Sequence, residues 1–118
     1  MRDHTKLRAF ELADELVLLI YKITRTFPKE ELFVLTSQMR RAAISVPSNI
    51  VEGAARESET EYVRFLEVSF ASLRELGYQF SVASRLDYVE EKFKNECELK
   101  LIETSKVLAG LIRKLRNK

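Results

Sequence analysis

Side chains able to do chemistry are few in this chain and far apart. Its 118 residues include one histidine, His4, and one cysteine, Cys97. A zinc site needs about four Cys or His ligands, or three and a water, so zinc chemistry is excluded. A carboxylate-bridged di-iron bundle needs a Glu-x-x-His motif on each of two helices, which one histidine cannot supply. Nucleophilic triads need a base, and no motif surrounds His4. With glycines only at positions 53, 77 and 110, there is no Gly-rich loop to cradle a phosphate. The neighbouring carboxylates Glu30 and Glu31, and Glu90 and Glu91, sit where helices are expected to start, and the helix dipole accounts for them. The expectation is a protein that is not an enzyme and carries no metal and no cofactor.

Charge and hydrogen-bonding capacity remain. Arg41, Ser45, Ser48 or Asn49, Glu52 and Arg56 follow one another at steps of three and four, and so share one polar helix face. Glu52 precedes Arg56 by four, the favourable order for a helical ion pair. A second group closes the sequence. Arg113, Lys114, Arg116 and Lys118 give residues 111–118 a charge of +4, against a net +2 for the whole chain. Cations there complement a helix C-terminus and can also meet phosphates.

These groups need elements to hold them, and the composition points to helices. Three glycines and two prolines compare with roughly eight and six in an average chain of this length, too few turns for a sandwich or barrel. A first helix is expected from about Lys6 to Phe27, ended by Pro28. It carries Phe10, Ala13, Val17, Ile20 and Phe27 on one apolar stripe, with Thr24 in its one polar slot, and Ala9, Leu12, Leu16, Leu19 and Ile23 on another. That face is wider than a two-helix seam requires. After a connection with a helical turn near Glu30, Thr36 or Ser37 caps a second helix to about Arg56. Its inward residues, Met39, Ala42, Ala43, Val46, Ile50, Gly53 and Ala54, are mostly small. Pro47 falls inside it, so a kink near Ala43 to Pro47 is expected, with Ser45, Ser48 and Asn49 placed to serve the freed Ala43 carbonyl or to reach another helix.

Ser58 and Glu61 have capping-box spacing and open a third helix to about Leu86, with Tyr62, Leu66, Ser69, Leu73, Leu76, Phe80 and Ala83 at alternating four- and three-residue steps. A turn at Asp87 to Glu90 leads to a fourth, from about Glu91 to Leu115. Its stripe is Cys97, Leu101, Thr104, Leu108, Leu111 and Leu115. The resulting fold class is all-α: a single domain over residues 1–118, an antiparallel up-and-down four-helix bundle with a proline-kinked second helix. Acids at Asp3, Glu11, Asp14 and Glu15 interrupt any signal-peptide pattern. The uncharged run Leu16 to Tyr21 is far shorter than the roughly 20 residues that span a bilayer. A lone cysteine suits a reducing compartment, so a cytoplasmic protein with no membrane partner is expected.

The stretches IYKITRTFPKEE, LTSQMRRAAISVPSNIVEGAAR, EYVRFLEVSFASLRELGYQF and LAGLIRKL resemble the 23S rRNA intervening sequence proteins, also called S23 ribosomal proteins. SVPSNIVEG is the most specific of these segments. The resemblance implies a four-helix bundle, often a ring-like homopentamer. It is also similar to the accessory variability protein of diversity-generating retroelements, a basic pentameric barrel that binds nucleic acid. Motif positions carried over are Gln38, Arg40, Arg41, Ser45, Pro47, Asn49, Glu52, Gly53 and Arg56, then Phe65, Ser72, Leu73, Glu75, Leu76 and Gln79. Val34 and Asp87 stand where glycine is common, and Glu90 where a Ser or Asp cap is common. The near-neutral charge is the larger departure from a basic nucleic-acid binder.

Two functions follow as expectations. The first is an oligomer that binds RNA or DNA through phosphate contacts from Arg40, Arg41, Arg56, Arg113, Lys114 and Arg116, with Ser45, Pro47, Asn49, Glu52, Gly53 and Glu75 as structural or interface positions. The alternative is a protein-interaction adaptor or scaffold with a protein partner and no nucleic-acid ligand.

Overall fold

A computed structural model describes residues 2–118 of the chain. A 3-10 turn at His4–Lys6 comes first. Asp3 caps it, its carboxylate accepting from the Thr5 hydroxyl and from the Thr5 amide at 3.0 Å. Those bonds hold the Asp3 carboxyl below its ordinary range. Helix α1 spans Arg8–Thr24 and buries Ala9, Leu12, Ala13, Leu16, Leu19, Ile20, Ile23 and Thr24. It stops short of the expected Phe27, because a residue before proline is pushed out of the α region. Phe27 is still buried, its amide bonded to the Thr24 carbonyl at 3.1 Å.

A second 3-10 turn, Lys29–Glu31, leads to α2 at Leu35–Ala54. Neither Thr36 nor Ser37 caps α2. Val34 holds the capping position without a side-chain bond, and the Glu31 carboxylate takes the Leu35 amide at 3.3 Å instead. Thr36 lies inside the helix, its buried hydroxyl unpartnered among the described residues. The helix continues through Pro47. Side chains beside the proline bond elsewhere than the Ala43 carbonyl. Asn49 Nδ2 donates to the Ser45 carbonyl at 2.8 Å, Ser45 and Ser72 share a hydroxyl bond at 2.8 Å, and Ser48 is exposed.

Helix α3, Glu59–Arg85, starts where Ser58 Oγ accepts the Glu61 amide at 3.3 Å, one arm of the expected capping box. It ends in a Schellman motif. The amide of Tyr88 reaches the Ala83 carbonyl at 2.9 Å and that of Asp87 reaches Ser84 at 3.1 Å, with Asp87 in the left-handed region at φ 63°. Aspartate is one of the few side chains that accept this conformation. Helix α4 spans Glu91–Arg116 and buries Cys97, Thr104, Leu108 and Ile112. Ile112 thus takes the inward position expected of Leu111, which is half-buried.

Each helix packs on the next and α1 closes on α4, with no close backbone approach along either diagonal among the described residues, and side chains from all four helices share one core. This is the antiparallel four-helix bundle, 45 × 25 × 20 Å overall. Its centre is filled by fully buried Leu12, Leu16, Ile20, Met39, Ile50, Leu66, Leu73 and Leu76, each such side chain contributing roughly 1.5 to 3 kcal/mol of apolar burial. The α2 and α3 pair makes the most extensive contact. Small residues allow it: Ser69 Oγ donates to the Val46 carbonyl at 2.7 Å, and a β-carbon at Gly53 would meet the Tyr62 and Phe65 side chains. Among the described residues no helix is long and apolar enough to cross a membrane.

Candidate nucleic-acid interface

Antiparallel helices bring the end of α2, the start of α3 and the end of α4 to the same end of the bundle. Arg56, just past α2, is therefore placed with the cations of α4. The Arg56 guanidinium lies 4.8 Å from the Phe65 ring centroid and 4.0 Å from Glu52, the ion pair that their spacing predicts. Arg2 joins it, donating to the Arg56 carbonyl and stacking 4.4 Å from the Tyr62 ring centroid. Burial pushes the Tyr62 phenol up, with Arg2 opposing the shift and Glu59 adding to it. Arg2, Arg56 and Lys118 line one open cleft of about 640 Å³ together with Glu57 and Glu59. Sequence reasoning missed Arg2, since it precedes every periodic segment and only the tertiary fold carries it to Tyr62.

The α4 terminus supplies the rest. Arg116 pairs with Glu67, and Lys118 with Glu59 at 3.2 Å; all four groups are substantially exposed. Exposed pairs of this kind are worth at most about 1 kcal/mol, so a phosphate can replace either carboxylate at little cost. Arg113 and Lys114 are exposed and have no ion-pair partner among the described residues. Arg113 and Arg116 edge a second cleft of about 640 Å³, floored by Phe70, Ala109 and Ile112.

Arg40 and Arg41 are not part of this end. They lie 15 or more residues before Arg56, which on an α-helix is about 22 Å along the axis. Arg40 is half-buried against α1: its Nε donates to Thr24 Oγ1 at 2.9 Å and its guanidinium sits 4.6 Å from the Tyr21 ring centroid. Arg41 is exposed and lines a cleft of about 300 Å³ with Gln38, Ser45, Ser72 and Glu75. Gln79 donates to Glu75 at 3.4 Å. The family positions Ser45, Pro47, Asn49 and Gly53 are buried or half-buried in α2. Three of them serve the α2 and α3 seam: Ser45 through Ser72, Asn49 by bonding Ser45 Oγ at 3.0 Å, and Gly53 through its closeness to Phe65.

Other titratable groups are used internally. Burial pushes the Cys97 thiol up to about 12, with Glu96 and Glu98 adding to the shift. A thiol so held is a poor nucleophile at neutral pH. Among the described residues no three His, Cys, Asp or Glu side chains gather in a metal-binding arrangement. Side by side across α1 and α4, Lys100 donates to Glu15 at 2.6 Å and holds its carboxyl below the ordinary range.

In comparison with known proteins, residues 5–110 match the family model described as 23S rRNA-intervening sequence protein. Among solved structures, the chain is similar to a protein of unknown function from the S23 ribosomal protein family of Bacteroides thetaiotaomicron. The TM-score is 0.80 at 20% identity, covering 89% of this chain and 95% of that one. At that identity the likeness is one of fold. No match was found among curated proteins.

Proposed function

Because the chain belongs to the 23S rRNA-intervening sequence protein family, we propose that it is a non-catalytic cytoplasmic homo-oligomer, pentameric by resemblance, that binds RNA or DNA by its phosphates. The observation that carries this reading is the meeting of Arg2, Arg56, Arg113, Lys114, Arg116 and Lys118, drawn from three separate stretches of sequence, at one end of the bundle. A net charge of only +2 rules against a uniformly basic binder and makes this local cluster the relevant field. Copies arranged in a ring multiply it. Among the described residues no aromatic side chain stands exposed beside these cations, so contact is to backbone phosphate rather than to stacked bases.

Binding of labelled structured RNA and of duplex DNA across a salt series tests the reading, with oligomer mass measured in the same buffers. Affinity is expected to fall steeply with salt. Arg113→Glu with Lys114→Glu is expected to weaken binding to all sequences alike and to flatten the logarithmic salt slope by about one for each phosphate no longer neutralised. A flat salt response, or no binding at low ionic strength, overturns it. The alternative, a protein-interaction adaptor, draws on Leu18 and Tyr78, large apolar side chains each 67% exposed. It requires a protein partner whose capture survives high salt and nuclease.

A further inference from the structure

The connection between α1 and α2 ends in an apolar tip. Leu32, Phe33 and Val34 are consecutive and 48%, 89% and 60% exposed. Nothing folds the tip back onto the core, because the residue before it is pinned on both carboxylate oxygens. Glu31 Oε1 takes the Leu35 amide at 3.3 Å and Oε2 takes the Tyr88 hydroxyl at 3.1 Å. A phenylalanine held almost wholly in water forgoes most of its burial energy. Three such residues in a row mark a contact surface rather than scattered exposure.

On the other edge of the bundle, α3 and α4 leave an open groove of about 470 Å³ with Leu73 and Leu101 in its lining. Tyr78 and Ile102, 67% and 52% exposed, stand beside it. The groove is open over Gly77, where a β-carbon would meet nothing within 4 Å. Arg74 from α3 and Lys106 from α4 flank it. Neither cation has an ion-pair partner among the described residues, and neither does Glu30, the exposed carboxylate three residues before Phe33. Tip and groove are thus complementary in polarity, and the unpaired Glu30 carboxylate, which stands between Lys29 and the tip, is opposite in charge to the Arg74 and Lys106 that flank the groove.

We propose that the groove between α3 and α4 receives the Leu32 to Val34 tip of a second copy of this chain, with Glu30 set against Arg74 and Lys106. Within one chain the two do not meet: the tip sits at the end of the bundle where Glu31 bonds Tyr88, and the groove at Gly77 and Ile102 lies ten or more residues along α3 and α4 from Tyr88, on the order of 15 Å. The contact joins two different patches and is therefore heterologous. Repeated from copy to copy it gives a ring where the rotation closes and a filament where it does not. This inference rests on the self-association part of the function proposed above and assigns the surfaces that carry it.

The test uses light-scattering mass over a concentration series on the full chain and on Phe33→Ser and Ile102→Asp. Both sites are exposed, and thermal melts of the variants confirm folding. The wild type is expected above the 13.7 kDa chain mass. Each variant is expected to dissociate at concentrations on the order of thirtyfold higher, the effect typical of removing an interface anchor. An equimolar mixture of the two variants should form a species of twice the chain mass, because one keeps its groove and the other its tip. Glu30→Arg should weaken assembly, and Arg74→Glu with Lys106→Glu should restore it. Wild-type assembly unaffected by both variants, or a mixture with no heterodimer, overturns the tip and groove assignment while leaving self-association intact. A wild type monomeric at every concentration overturns both.

Discussion

Gly53 of α2 faces Phe65 of α3 so closely that a β-carbon at position 53 would stand 2.8 Å from Phe65 Cβ, with the Tyr62 carbonyl 3.2 Å away. The obstructing atoms are a β-carbon and backbone, neither of which can swing aside. This is the tightest requirement in the seam that also holds the Ser45 and Ser72 hydroxyl bond and the Ser69 bond to the Val46 carbonyl. It explains why glycine is accepted in a helix at a propensity loss of about 1 kcal/mol.

Gly53→Ala therefore destabilises the bundle. Overpacking costs about 1 to 3 kcal/mol and the propensity gain recovers about 1 kcal/mol, leaving a net loss of up to about 2 kcal/mol in urea unfolding. Gly110→Ala is the matched control. Its new β-carbon would meet only the Arg113 side-chain tip, at 3.9 Å, so stability should rise by about 0.5 to 1 kcal/mol. Equal effects from both substitutions would contradict the close approach of α2 and α3.

Arg40 and Arg41 are neighbours in sequence with different duties. Arg40→Ala removes the bond to Thr24 and the stacking on Tyr21, and is expected to cost about 1 to 2 kcal/mol of stability with little effect on nucleic-acid affinity. Arg40→Lys should recover only part of the loss, because an ammonium cannot reproduce the planar stack. Arg41→Ala, at an exposed site, should stay within about 0.5 kcal/mol of wild type. Denaturant midpoints for the three variants decide the matter, and an unchanged Arg40→Ala midpoint would sink this assignment.

Cys97 makes the bundle sensitive to alkali. Its buried thiol, pushed up to about 12, keeps its proton in the folded chain, whereas the unfolded chain releases it near pH 8.5. The group's contribution is complete below that lower value and is lost as pH rises towards 12. The loss is at most about 1.4 kcal/mol per pH unit across that window. Urea midpoints of wild type and Cys97→Ala, compared at pH 8 and pH 10, should show a steeper fall for the wild type. Parallel profiles would show that the thiol titrates alike in both states.

Much of the helical frame could be read from the residues. The three- and four-residue apolar spacing located all four helices, the Ser58 cap and the left-handed Asp87 turn follow from local chemistry, and the SVPSNIVEG segment pointed to the family that the match over residues 5–110 shows. Helix ends were less legible. The entry to α2 is held by Glu31 and not by the adjacent Thr36 or Ser37, because a carboxylate one turn earlier reached the Leu35 amide.

Local patterning determines the elements because backbone sterics, capping and a 3.6-residue period act over a few neighbouring residues. It therefore fixes a helical bundle, its turns and the small-residue face of α2. Which charges stand together depends on positions dozens of residues apart. Only the tertiary packing decided that Arg40 is committed to Tyr21 and Thr24, that Arg2 joins Arg56, and that Glu67 and Glu59 hold Arg116 and Lys118 while, among the described residues, Arg113 and Lys114 form no ion pair. Antiparallel packing sets those distances, and a periodic reading of one helix at a time contains no information about them.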